Sequence, residues 1–293
     1  MYFSKDFDFM KWRRQAMILS LALCVLSVGL VTIRGLNFGI DFTGGNVVQV
    51  EFVTRPDVGE VRDVVAAVVA REAMIQDFGE MGIMIRTSED TDESRQQLIS
   101  ALRAHYPDMT VLGFEQVGPT VGRELRNQSI WGITAALVGI LLYITLRFQF
   151  RFAVVSVVPL MHDALLTLGF FSLLQMEISA SFIAAILTIV GYSLNNEIII
   201  LDRLRENWKD LDKVGITELV NKAINQTLSR TVNTTLTMLF PILALCLLGG
   251  PVLASFSYAM LIGVTVGTYS SIMLTTGLVV EWWLRSPLED QKR

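Results

Sequence analysis

Apolar runs long enough to cross a bilayer alternate with charged turns along most of this 293-residue chain. A span takes about 20 mainly apolar residues. Six segments approach or exceed that length: Ala16–Ile33, Ile130–Leu146, Phe152–Leu174, Ile178–Ile200, Val232–Leu248 and Val252–Leu284. The last is free of charged residues from Val252 to Val280, long for a straight span. It is therefore expected to tilt or to break at Gly263, Gly267 or Ser270-Ser271. Between spans four and five, residues 202–230 mix charges with Leu204, Trp208, Leu211, Ile216, Leu219 and Ile224. That pattern predicts two amphipathic interfacial helices broken at Gly215, with Trp208 at headgroup level.

Between spans one and two the period changes. Residues 35–128 read as a separate α+β insert. "NVVQVEFV" has strand composition, and Asp57 is placed to cap an amphipathic helix over 58–72. "MIQDFG" and "GIMIRTS" read as short strands, "DESRQQLISALRAHY" as a helix ended at Pro107, and "MTVLGFEQVG" as a last strand. A β-α-β-β-α-β order predicts a ferredoxin-like domain. The expected architecture is an α-helical membrane protein with six transmembrane helices plus this domain between helices 1 and 2. Its segments are a terminus over 1–14, helix 1 over 15–34, the insert over 35–128, helices 2–6 over 129–284 and a tail over 285–293.

Composition agrees: 52% of residues are hydrophobic and 18% charged. Charge distribution then sets the sides. Lys11, Arg13 and Arg14 precede span one; Arg147 and Arg151 flank the turn between spans two and three. Arg203, Arg205, Lys209, Lys213, Lys222 and Arg230 lie between spans four and five, and Arg285, Lys292 and Arg293 follow span six. All fall on one face if both termini are cytoplasmic. "QMEIS" and "GGP" on the other face carry no Lys or Arg. The insert is then extracytoplasmic. Span one has a basic flank but no small-x-small cleavage pattern, which reads as an uncleaved anchor. Acidic residues outnumber arginines in the insert, and no basic tract reads as a nucleic-acid site. Cys24 and Cys246 sit in apolar runs and imply no disulfide framework. No metal motif, phosphate loop or nucleophile elbow is visible. Ser193 in "GYSL" lacks the second glycine of an intramembrane serine protease, so the chain does not read as an enzyme.

Polar groups inside the apolar runs are the candidate chemistry, because their transfer into lipid is costly. Asn195, Asn196 and Glu197 lie near the end of span four, and four apolar residues separate Glu197 from Asp202. His162 and Asp163 lie close to the middle of span three, where such a pair suits a proton relay. Arg230 opens span five ahead of Asn233, Thr234, Thr235 and Thr237; facing an ionised Glu197, it would neutralise that carboxylate at rest.

The quoted segments together resemble one family. "GLNFGIDFTGG", "VGPTVGREL", "HDALLTLG", "GYSLNNEIIILDRLREN" and "INQTLSRTVNTTLT", in this order, are similar to the SecF branch of the SecD/SecF protein-export family, of the resistance-nodulation-division superfamily. The resemblance covers essentially the whole chain. It implies a bacterial cytoplasmic (inner) membrane protein that works with a SecD-like subunit and the SecYEG channel on unfolded preproteins. It implies no cofactor or bound metal, only a transported H⁺ or Na⁺; membrane lipid is the remaining partner. Asp41, Gly44 and Gly45, with Gly118, Pro119 and Gly122, would form the connectors between membrane and insert. Where the family reads "SLND", this chain reads "SLNN", placing Asn196 at the position of a membrane-embedded Asp. An amide cannot take up and release a proton near neutral pH. Three readings follow: Glu197 carries the proton, Na⁺ is the coupled ion with amide and carboxylate ligands, or the ion is carried by the SecD-like partner. A passive scaffold is the rival. An efflux transporter would need a larger soluble part than this insert.

Overall fold

The computed structural model describes residues 6–69, 73–89, 91–147 and 150–285. Expectations for Arg71 and Glu72 at the end of the first insert helix, and for Lys292 and Arg293 in the tail, fall outside them. A 3₁₀ turn, Met10–Trp12, leads into α1 (Arg13–Arg34). A short strand β1 (Asn37–Phe38) and one helical turn α2 (Ile40–Thr43) follow. The insert comprises β2 (Gly45–Glu51), α3 (Val58–Ala66), β3 (Met74–Phe78), β4 (Gly82–Thr87), α4 (Asp92–His105) and β5 (Thr110–Val117). The chain returns through α5 (Pro119–Arg147), α6 (Phe150–Leu174), β6 (Glu177–Ile178), α7 (Ala180–Glu206) and α8 (Leu211–Leu248). It ends in α9 (Gly250–Tyr269), a π segment (Ser270–Thr275) and α10 (Thr276–Arg285).

Among the described residues six helices are long and apolar enough to cross a membrane, the last being α9, the π segment and α10 taken together. α5 alone, at 29 residues, extends about 43 Å at 1.5 Å per residue, beyond the ~30 Å hydrocarbon core. The bundle is layered. α6 and α7 are buried along much of their length, whereas Ile18, Leu21 and Val25 of α1 are largely exposed. α9 lies close against α7 because Gly263 and Gly267 carry no Cβ: one at Gly263 would run into the Ile189 side chain, and one at Gly267 would lie 3.0 Å from Ser193 Oγ. This is the small-xxx-small approach common between membrane helices. The two glycines thus serve close approach, and the helix departs from α geometry at Ser270-Ser271 instead.

The connector between spans four and five differs from two interfacial helices. α7 runs on to Glu206, a 3₁₀ turn spans Trp208–Asp210, and α8 continues directly into span five. The break at Gly215 is present, at φ 77° and ψ 162°. Leu219, Val220, Ala223 and Ile224 are buried with Met10, Ile200, Leu204 and Val280 in one apolar cluster. Trp208 packs edge-on against Trp283, ring centroids 4.9 Å apart. Asn221 ties this layer to the chain start by accepting from the Met10 amide at 3.0 Å.

Within the insert the four strands are antiparallel in the order β3-β4-β2-β5. Val48 and Val50 of β2 and Ile83 and Ile85 of β4 share one face and meet Val61, Val65, Leu98 and Leu102 from α3 and α4. Asp57 caps α3 through the Gly59 amide, 2.6 Å, and Thr91 caps α4 through the Ser94 amide, 3.3 Å. The opposite face, with Val47, Met84 and Arg86, turns toward the bundle and closes a cavity of about 230 Å³ with Ile40, Glu177 and Ser255.

Candidate functional site

Two features place polar groups inside the bundle: the seam beneath the insert and a cluster deep between α6, α7 and the π segment.

At the seam, the two connectors pack on each other. Gly44 has φ 72°, and a Cβ on it would lie 3.1 Å from Pro119 Cα; one on Gly122 would lie 3.1 Å from the Gly44 nitrogen. Gly45, at φ 126°, presses its Cα against the Thr87 carbonyl. Positive φ with no room for a Cβ is the condition only glycine meets. Gly118 faces open space, so it carries no such constraint. β1 pairs in parallel with β6, and Arg86 of the insert's sheet makes an ion pair with Glu177. Asn37 donates to the Gln175 carbonyl, 2.9 Å. Burial pushes the Glu177 carboxyl above its ordinary value, and Arg86 opposes that shift without cancelling it. Asp41 Oδ2 accepts from the Ala180 amide at 2.7 Å, supplying to α7 the side-chain cap that Ser179 does not.

Deeper, His162 Nδ1 lies 2.9 Å from Asp163 Oδ1. Asp163 Oδ2 accepts from Ser193 Oγ of α7 at 2.7 Å and from Ser270 Oγ of the π segment at 2.8 Å. At the other end of that segment, Thr275 Oγ1 donates to Glu197 Oε1 at 2.9 Å. A π turn carries an extra residue per turn and recurs at functional sites. Here it brings Ser270 and Thr275 to two carboxylates on two different helices. Asp163, Asn196 and Glu197 are fully buried. Among the described residues no Lys or Arg pairs with Asp163 or Glu197. Glu197 Oε2, both amide atoms of Asn196, Ser156 Oγ and His162 Nε2 are buried without a hydrogen-bond partner. Ser156 is a close neighbour of the Glu197 carboxyl, and Asp163 is within electrostatic reach of it.

Orphaned buried polar atoms are rare and costly; here four residues supply five of them, Ser156 and His162 from α6 and Asn196 and Glu197 from α7. The donor set is hard oxygen from carboxylate, amide and hydroxyl, the type that takes alkali and alkaline-earth cations.

The sequence candidates divide. His162, Asp163, Asn196 and Glu197 lie in the interior. Asn195 and Arg230 are exposed on the outside of α7 and α8, and Arg230 makes no ion pair with Glu197. Successive residues of a helix turn by about 100°, so Asn195 cannot share the face of the two residues after it. Ser193, Ser270, Thr275 and Ser156 join the cluster without a signal in the sequence that marks them as site residues. Hydroxyls abound in these spans, and their selection depends on the π turn, which leaves no mark in residue spacing. Cys24 and Cys246 are both free thiols.

Comparison with known proteins gives a consistent answer. The C-terminal family of the protein-export membrane proteins SecD/SecF matches residues 97–285. The SecD/SecF GG motif matches residues 29–54, which include Gly44 and Gly45. Protein translocase subunit SecF of Desulfurispirillum indicum is 42% identical, with 94% of this chain and 91% of the relative covered. That of Pseudomonas aeruginosa is 38% identical, with 97% and 93% covered. The crystal structure of SecDF, a translocon-associated membrane protein from Thermus thermophilus, superposes with a TM-score of 0.90 at 41% identity. It covers 97% of this chain, which spans 40% of that longer protein. SecDF in its super-membrane-facing form gives 0.74 at 40% identity, over the same shares of the two chains. With its length matched in sequence and in structure, this multi-pass membrane chain belongs to the SecD/SecF family of protein-export membrane proteins.

Proposed function

We propose that this chain is the SecF-like subunit of a Sec translocase accessory complex, and that it uses an H⁺ or Na⁺ gradient to assist preprotein export across the bacterial cytoplasmic membrane. Both termini are then cytoplasmic and the insert extracytoplasmic. The strand order β3-β4-β2-β5 with both helices on one face supports reading that insert as a ferredoxin-like domain. The observation that carries the ion step is the pair of fully buried carboxylates, Asp163 and Glu197, bridged by Ser270 and Thr275 of one π turn.

The mechanism follows from that bridge. An ion reaching Glu197 Oε2 and the free Asn196 carbonyl changes the charge inside a packed, water-poor layer. The π segment then loses or gains hydrogen bonds at both its ends, and α7 and α9 shift against α6. Because Asp41 caps α7, and Asp41 lies in the connector to the insert, movement of α7 is passed to the insert. One elementary charge crossing 100 mV supplies about 2.3 kcal/mol, and a pH difference of one unit about 1.4 kcal/mol. Together these bias a two-state tilt by two to three orders of magnitude.

A SecD-like partner is supported from the outer face. Arg230, Asn233 and Thr237 are exposed at i, i+3 and i+7 on α8, with Asn195 exposed on α7. A polar stripe on a membrane-spanning surface calls for a protein neighbour with hydrogen-bonding or acidic groups. The Thermus thermophilus relative is named SecDF, as expected where the two subunits share one chain. Measuring preprotein export in vesicles under separately imposed H⁺ and Na⁺ gradients, with and without this chain, tests the proposal; no added stimulation under either gradient would leave the passive scaffold.

A further inference from the structure

A groove of about 700 Å³ opens on the outside of the bundle between α1, α6 and α10, and neither Asp163 nor Glu197 lines it. Its walls are apolar, with Met17 and Leu21 from α1, Val158 from α6 and Leu278 from α10. Its mouth lies at the start of α1 and the end of α10, where the character changes. Arg13 and Arg14 both approach Glu281 Oε1, at 3.2 and 3.5 Å, and Arg285 approaches Oε2 at 3.9 Å. Among the described residues three guanidiniums thus share one carboxylate, leaving two positive charges in excess. Arg14 and Arg285 keep 75% and 83% of their side-chain surface exposed, so both can take another anion. Trp282 lines the same groove, an aromatic ring of the kind enriched where headgroups meet acyl chains.

We infer that this groove holds one anionic phospholipid, its phosphate between Arg14 and Arg285 and an acyl chain along Met17, Leu21, Val158 and Leu278. The volume is that of an ordinary ligand site. The excess positive charge at the mouth selects an anionic over a zwitterionic head, as basic pockets between membrane helices do. An apolar helix from another protein would satisfy the walls but leave the charge in excess of Glu281 unmatched. The inference stands whether or not the ion-coupling proposal does.

The test is native mass spectrometry of the full chain in detergent, equilibrated with equal amounts of phosphatidylglycerol and phosphatidylethanolamine. The wild type should retain the anionic lipid with roughly tenfold preference. Arg14→Gln with Arg285→Gln should bring that preference to near parity. Val158→Trp, which fills the groove and leaves every arginine in place, should lose lipid retention as well. A phosphatidylglycerol with a photoreactive acyl chain should label Met17 and Leu278. Parity in the wild type would overturn the inference. So would full retention by Val158→Trp, which would make the binding surface electrostatics alone, or labelling abolished by a co-purified partner chain, which would make the groove a protein interface.

Discussion

The side chain of Asp41 accepts the amide of Ala180, so a residue leaving span one caps the helix that carries Asn196 and Glu197. The cap comes from 139 residues away in sequence. It fixes the connector to the start of α7 by a hydrogen bond to a charged acceptor at a helix N-terminus, where negative charge is favoured. Asp41→Ala should therefore cost about 1 kcal/mol in thermal unfolding, with Asp41→Asn costing less because an acceptor is kept. Equal melting of all three would show that the cap contributes nothing.

Glycines at the connectors separate by geometry. Gly45 has positive φ and no space for a Cβ, so Gly45→Ala should destabilise the seam by about 1–3 kcal/mol. Gly118 has neither constraint, and Gly118→Ala should be neutral. Limited proteolysis of the insert boundary compares the two; similar protection in both variants would contradict the assignment.

The seam should respond to pH through Glu177. Burial raises its carboxyl above the ordinary carboxylate value of about 4.5, so just above that pH the folded seam holds a proton that the unfolded chain has already lost. Its contribution is then fully present below pH 4.5 and declines as pH rises through the folded value. Hydrogen exchange at β1 and β6 should accordingly quicken as pH rises above 4.5, beyond the intrinsic chemical rate. Glu177→Gln should flatten that dependence, and an unchanged slope in the variant would assign it to another group.

Asn196 and Thr275 distinguish structural from functional polarity. Thr275→Val deprives Glu197 Oε1 of the donor that reaches it, and should cost about 1–3 kcal/mol. Asn196 has no protein partner to lose. Asn196→Leu should thus be neutral or stabilising in unfolding while it weakens gradient-driven export. If it destabilises and leaves export intact, the amide is packing rather than ligand.

Much of this architecture could be read from periodicity. Six apolar runs became six helices long enough to span, the insert's strands and helices followed the expected order behind the Asp57 cap although α3 ends at Ala66, short of the expected 58–72, and Gly215 broke its helix. The site was legible only in part. Buried Asp163 and Glu197 stood out because charge inside an apolar run is costly. Which way each residue faces depends on how the helices rotate against one another, and the sequence of one span does not contain that. Arg230 and Asn195 therefore turned out on the outer surface, and a pairing of Arg230 with Glu197 is not formed. The hydroxyls of Ser193, Ser270 and Thr275 were invisible as ligands because the π turn that aligns two of them displaces the 3.6-residue period. The ion pair of Arg86 with Glu177 joins segments about ninety residues apart, beyond the reach of any local pattern.

The most direct measurement is gradient-driven preprotein export by vesicles carrying Glu197→Gln or Asp163→Asn in place of the native residue. Each substitution keeps size and hydrogen-bonding capacity while abolishing a titratable charge. The account predicts that basal export persists and that stimulation by the H⁺ or Na⁺ gradient falls at least tenfold in both variants. Stimulation at the native level in both would contradict it, and would place the ion step outside this chain.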